Sequence, residues 1–245
     1  GMLQHKITHL CITEDGTPNS ELVGILSEHD IIVIRGNNPS VLVKEVKRAK
    51  DTETLKYIRQ KAQNLLKRYL EQGIPIAFIT KIISAINDTI TKRVIAISID
   101  EMFSQPPTSF GWLALGSQGR HEQLLLTDQD NALVYQDSKN EDTKNYFLKL
   151  SKQITDKLNT IGFEYCPAEM MASNPNWCLS LSEWKQQFNN WITHPDEDKI
   201  MLCTIFFDFD LVYGDNSLIE EMAESIFESI DNYEIFLNFL ALNAL

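Results

Sequence analysis

An apolar run that stops on two small residues constrains the fold of this chain more than any other feature. Phe110, Trp112, Leu113, Ala114 and Leu115 are aromatic or aliphatic, too few for a helix, and read as a buried strand that Gly116-Ser117 ends. The turn runs on as Gly116-Ser117-Gln118-Gly119-Arg120-His121-Glu122, and Thr127-Asp128-Gln129-Asp130 follows it. A small-residue turn able to cradle phosphates therefore precedes two alternating carboxylates, with a hydrophobic strand on each side.

Each position in this segment has a chemical reason to be there. Gly116 has no side chain to keep backbone N–H groups away from a phosphate, and the Ser117 hydroxyl can donate to a phosphate oxygen. Gly119 keeps the next turn open, and Arg120 offers a planar fork of donors suited to phosphate. The segment from Arg120 to Leu125 is expected to begin a short helix whose N-terminus favours anions. Further on, Asp128, Asp130, Ala132 and Val134 alternate with Gln129, Asn131, Leu133 and Tyr135. Extended geometry sends every second side chain to one face, so Asp128 and Asp130 converge. Two carboxylates there suit Mg2+ (or Mn2+), which binds a few acids together with substrate phosphates.

Gly116-Ser117-x-Gly119-Arg120-x-Glu122 joined to Thr127-Asp128-x-Asp130 resembles the signature of the polymerase-beta-type nucleotidyltransferase superfamily. Within it, the chain resembles the nucleotidyltransferase family that accompanies CBS and cyclic-nucleotide-binding domains in bacterial signalling proteins, akin to the uridylyltransferase of the nitrogen-regulatory PII protein. The likeness runs on into Met171-Ala172-Ser173-Asn174-Pro175-x-Trp177-Cys178, Trp184-Lys185-x-x-Phe188-x-x-Trp191 and Phe206-Phe207-Asp208-Phe209, covering about residues 50 to 245. The resemblance implies a third carboxylate on a later strand, and the run from Ile205 to Val212 makes Asp208 that ligand. Catalytic and metal-binding residues are then Asp128, Asp130 and Asp208. The nucleotide-binding residues are Gly116, Ser117, Gly119, Arg120 and, in the polar loop, Ser173 and Asn174. One departure stands out: Asp210 occupies the place where an arginine is usual. Either it weakens triphosphate binding, or it shares the metal work with Asp208.

Charge narrows the acceptor. The chain has 34 acids against 22 lysines and arginines, a formal charge of −12, with no dense basic run. Polynucleotide binding draws on phosphate neutralisation, so no long nucleic acid is expected. A protein side chain or a small molecule is the expected acceptor. Cysteines 11, 166, 178 and 203 show no metal-finger or secreted-type spacing and read as buried free thiols. No signal pattern and no bilayer-length apolar run is evident, so a cytoplasmic location with no membrane contact is expected.

The expected fold class is α+β: a polymerase-beta-like fold, with a small mixed sheet flanked by helices. Residues 1–50 are expected to be the second half of a CBS domain, with strands at His9–Thr13 and Leu22–Leu26 and a helix capped by Ser27 and Asp30. Residues 51–215 form the nucleotidyltransferase domain, opening with a helix pair whose stripes run from Leu55 to Leu70 and from Ile79 to Ile97. A helix from Tyr146 to Ile161 is closed by Gly162, Phe163–Cys166 is a short strand, and Ala168–Ser180 is a loop. Trp177, Trp184 and Trp191 recur every seven residues and read as one buried face, while His121 shows no acid partner. Residues 216–245 begin a helical C-terminal part; a chain ending on an apolar helix and starting inside a half module suggests a piece of a larger regulatory protein and a possible homodimer. The resulting expectation is a signal-transduction nucleotidyltransferase using a nucleoside triphosphate and Mg2+; an inactive nucleotide-binding module or an interaction scaffold is the alternative.

Overall fold

The computed structural model describes residues 7–27, 39–124, 128–233 and 235–243. At the N-terminal end, β1 (His9–Thr13) and β2 (Leu22–Ser27) pair antiparallel in a sheet of their own. Their connection is fixed by Asp15 Oδ1, which accepts from both the amide and the hydroxyl of Thr17. Cys11 is exposed on this hairpin, which corrects the expectation that all four thiols are buried. The helix expected to start at Ser27 and Asp30 falls, beyond Ser27, outside the described residues.

Three helices follow. The first, α1 (Pro39–Arg48), has no counterpart in the sequence reading: only Leu42 and Val46 of its ten residues are buried, too short a stripe to stand out. Helix α2 (Thr52–Glu71) is capped by Asp51, whose carboxylate accepts from Thr54 N at 2.7 Å. Its stripe of Leu55, Ile58, Ala62, Leu65, Leu66 and Tyr69 is buried. Helix α3 (Ile76–Glu101) starts after Pro75 and buries isoleucines on more than one side, because it packs against α1, α2 and the sheet layer at once.

The main sheet has the order β7-β5-β3-β8. Its centre is β3 (Phe110–Ala114), buried on both faces, antiparallel to β5 (Asn131–Tyr135) and to β8 (Asp210–Gly214). Strand β7 (Cys178–Ser180) joins β5 in parallel, making the sheet mixed. This strand lies where a loop is expected, since three residues cannot establish an alternation. On one face Trp112, Ala114, Leu133 and Tyr135 meet α1 to α3 and α5 (Asp142–Ile161), which ends on left-handed Gly162. On the other, Leu113, Leu115, Ala132 and Val134 meet α6 (Leu181–Thr193), α7 (Glu197–Phe206), α8 (Asn216–Asp231) and α9 (Ile235–Asn243).

That second core is aromatic. Trp177 lies 6.4 Å from both Trp184 and Trp191, and Phe206 lies 4.7 Å from Trp177. Trp184 is fully buried and donates its indole N–H to Leu133 O at 3.0 Å. This packing explains a correction: the run from Ile205 to Val212 is not one strand. Asp196 caps α7 by accepting from Lys199 N, and Ile200, Cys203 and Phe206 recur at helical steps to fill the aromatic core. Only after the turn at Phe207-Asp208 does the chain extend into β8.

Two short elements complete the site's frame. Helix α4 (Gly116–Gly119) is a single turn, starting earlier than the expected helix from Arg120, because Leu115 O accepts from Gln118 N and Gly119 N. Strands β4 (Asp128–Gln129) and β6 (Glu164–Tyr165) pair in parallel. Leu125, Leu126 and Thr127 lie outside the described residues. Among those described, no helix is long and apolar enough to cross a membrane.

Candidate active site

The carboxylates of Asp128 and Asp130 are brought to the end of the sheet by what lies between and beside them. Gln129 is buried, and its amide donates to Thr155 O and Phe163 O, both at 3.0 Å, which pins β4 to the end of α5. Leu115 N donates to Asp130 O at 3.0 Å, so Asp130 sits directly across from the residue before the turn. At Gly116, φ is +52°, and a Cβ there would lie 3.7 Å from Asp130 Oδ2. The acid thus faces the first residue of the turn.

One oxygen of Asp128, one of Asp130 and the Cys166 sulfur all lie within 4.8 Å of one another. Burial pushes the Asp130 carboxyl up, a hydrogen bond with the Cys166 thiol opposes this, and the Asp128 charge adds to the rise. No lysine, arginine or histidine among the described residues pairs with either acid. Two carboxylates crowded together without a counter-charge favour a divalent cation, and the donor set fits one: hard oxygens for Mg2+, with a thiol beside them.

The turn itself is wedged against the end of α7. A Cβ on Gly119 would fall 1.8 Å from Asp208 O, so only glycine permits this approach. Arg120 then divides its fork: Nη1 donates to Asp208 Oδ2 at 2.5 Å and Nε to Glu122 Oε2 at 3.0 Å. Asp208 is therefore next to the turn but not in the group formed by Asp128, Asp130 and Cys166. Among the described residues Ser117 Oγ makes no hydrogen bond, which leaves it available to a ligand.

Asp210 belongs to a different set of contacts. It pairs across the sheet with Ala114, and its Oδ2 is 3.7 Å from His121 Nε2. His121 has a left-handed backbone (φ +56°), and its Nδ1 is 3.7 Å from Asp88 Oδ2 on α3. His121 thus lies between two acids, where the sequence suggested none. Burial raises the Asp88 carboxyl, while a hydrogen bond from the Gln118 side chain and the nearby His121 oppose the rise. Asp88 ties the turn to α3, yet nothing in its local sequence marks it, since it lies off the apolar stripe as an ordinary polar position of the helix. Lys81, Asp88, Arg120, His121 and Glu122 line a cavity of about 500 Å³ beside the turn.

The polar loop hangs from β5. Asn131 Oδ1 accepts from Ala172 N at 2.8 Å, and Asn131 N donates to Met170 O at 3.0 Å, which places residues 170–172 beside Asp130. Asn174 spends both ends of its amide inside the loop, donating to Glu169 O and accepting from Asn176 N. Ser173 makes no side-chain hydrogen bond among the described residues.

A family model described as "Putative nucleotidyltransferase DUF294" matches residues 60–198, over half of the chain. The matched span holds the turn, the Asp128–Asp130 pair, Cys166 and the polar loop, and ends before Asp208 and Asp210. No curated protein matches the chain.

Proposed function

Because the chain belongs to this nucleotidyltransferase family, we propose that it moves a nucleoside monophosphate from a nucleoside triphosphate to a hydroxyl of a protein or small molecule, with Mg2+. The observation that carries this reading is that Asp130 Oδ2 faces Gly116, 3.7 Å from where a Cβ on that glycine would lie, which sets the carboxylate pair beside the glycine-serine turn. A divalent cation held by Asp128 and Asp130 would neutralise triphosphate charge and lower the pKa of the acceptor hydroxyl. Ser117 and the amides of the turn hold the phosphates, and Arg120 adds charge-assisted hydrogen bonds.

Asp208 is the third carboxylate of the proposal. Arg120 now holds it at the edge of the turn; a triphosphate drawing on Arg120 would loosen that pair and leave Asp208 to orient the acceptor hydroxyl. In the transfer the acceptor oxygen bonds to the α-phosphorus, the bond from that phosphorus to the bridging oxygen breaks, and pyrophosphate departs with the electron pair. The hydroxyl proton passes to solvent. The net charge of −12 favours a protein or metabolite acceptor over a polynucleotide.

In the same reading, residues 1–50 are the second half of a CBS domain, 51–215 the catalytic domain and 216–245 the start of a helical domain. The chain is then a signalling enzyme of the cytoplasm, able to form a homodimer. The family match over residues 60–198 lies inside the span given to the catalytic domain. Incubation with α-labelled triphosphates and a cell lysate tests the activity: label should move to an acceptor in a Mg2+-dependent way. Nucleotide binding without label transfer would instead support an inactive sensor, a reading that Asp210 and the Arg120–Asp208 pair favour.

A further inference from the structure

We propose that Cys166 is a ligand of the same site, and that Asp128, Asp130 and Cys166 together bind a thiophilic divalent cation such as Zn2+. This rests on reading the two aspartates as cation ligands, and not on the transfer reaction. Three features of the fold lead to it.

The first is register. Parallel pairing of Asp128 with Glu164 and Gln129 with Tyr165 brings the next residues, Asp130 and Cys166, alongside each other. The second is distance: one oxygen of Asp128, one of Asp130 and the sulfur of buried Cys166 lie within 4.8 Å of one another. The third is the wrapping of the sulfur by its own chain. The backbone amides of Met170 and Ala168 are directed at Cys166 Sγ, while Glu169, with a left-handed φ of +55°, returns its amide to Cys166 O at 2.9 Å. These amides oppose burial and the Asp130 carboxylate, which together hold the Cys166 thiol above its ordinary value, so a bound cation must itself displace the thiol proton.

The other buried thiols lack this setting. Neither Cys178 nor Cys203 belongs to a group of three potential ligands among the described residues. On binding, the S–H bond gives way to a sulfur–metal bond and the proton leaves to solvent. Three protein ligands leave a position for water or a phosphate oxygen. Mg2+ draws little from a thiolate, so the sulfur biases the site toward zinc-class ions.

The test is titration of the whole chain with Co2+ alone as a spectroscopic stand-in. Wild type should develop a near-ultraviolet sulfur-to-cobalt charge-transfer band. Cys166→Ser should abolish it and weaken Co2+ binding by about tenfold or more, Asp130→Asn should weaken binding comparably, and Cys11→Ser should leave the band intact. In the unaltered chain, Zn2+ should slow alkylation of Cys166 but not of Cys11, a readout that needs no variant to fold. A missing band in wild type, a band that survives Cys166→Ser, or alkylation unaffected by Zn2+ overturns the assignment. A band lost on Cys166→Ser but indifferent to Asp128→Asn and Asp130→Asn overturns the shared site. If the band behaves as expected while no nucleotide is ever transferred, the cation site stands and the transferase reading falls.

Discussion

Two Asp-x-Asp pairs meet at one end of the sheet, and the chain treats them in opposite ways. Asp128 and Asp130 flank a buried glutamine, and their carboxylates approach each other with a thiol for company and no cation among the described residues. Asp208 and Asp210 straddle the boundary between a turn and a strand, and their carboxylates part: one goes to Arg120, the other toward His121. Equal spacing therefore does not produce equal sites. The backbone between two acids decides whether they converge, and the cations nearby decide whether their charge remains to be neutralised by a ligand.

The sharpest way to break this contrast is to remove charge from each pair in turn. Asp128→Asn or Asp130→Asn should lower the initial rate of label transfer by about a thousandfold, roughly 4 kcal/mol of transition-state stabilisation. Asp210→Asn, measured in the same assay, should cost about tenfold or less. Equal losses would mean that both pairs serve the cation.

Next in size is the wedge that brings the second pair to the turn. Gly119→Ala would drive a methyl into the Asp208 carbonyl, where backbone cannot yield cheaply, and should lower unfolding stability by about 2–3 kcal/mol in urea denaturation. Arg120→Ala should do little to stability, because both partners of its pair with Asp208 are substantially exposed (44% and 35%). It should instead weaken triphosphate affinity by about tenfold in calorimetry, since it removes a charge-assisted donor.

The smallest effect concerns Asp88. Its carboxyl holds a proton more tightly in the folded chain than in the unfolded one, chiefly through burial. Its contribution is thus favourable below the ordinary carboxylate range and is lost as pH rises through the folded value. At neutral pH, Asp88→Asn should change stability by no more than about 1 kcal/mol, and the variant's thermal midpoint should fall less than wild type's between acid and neutral pH.

Much of this arrangement is legible in the sequence, for physical reasons that also mark where legibility ends. The β3 strand and the glycine-serine turn are local patterns fixed by local geometry; the run from Asp128 to Tyr135 is only partly so, because the chain breaks at Asp130 into β4 and the fully buried β5, which belong to different sheets. The stripes of α2 and α5, with Asp51 at one end and Gly162 at another, are equally local. By contrast, Ile205 and Phe206 look like the start of a strand and are helical because an aromatic core built from Trp177, Trp184 and Trp191 claims them. Cys166 reaches Asp130 through a two-residue parallel ladder, and Asp88 reaches Gln118 across 30 residues of chain; neither contact has a local signature. Asn174, read as a nucleotide contact, has its amide committed within its own loop.

Calorimetric titration of the chain with nucleoside triphosphates, in the presence and absence of Mg2+, bears most directly on the claim that the turn and the Asp128–Asp130 pair form one nucleotide site. The account predicts binding that requires the cation and that disappears in the Asp128→Asn, Asp130→Asn double variant. Binding that is indifferent both to Mg2+ and to that double substitution would contradict it.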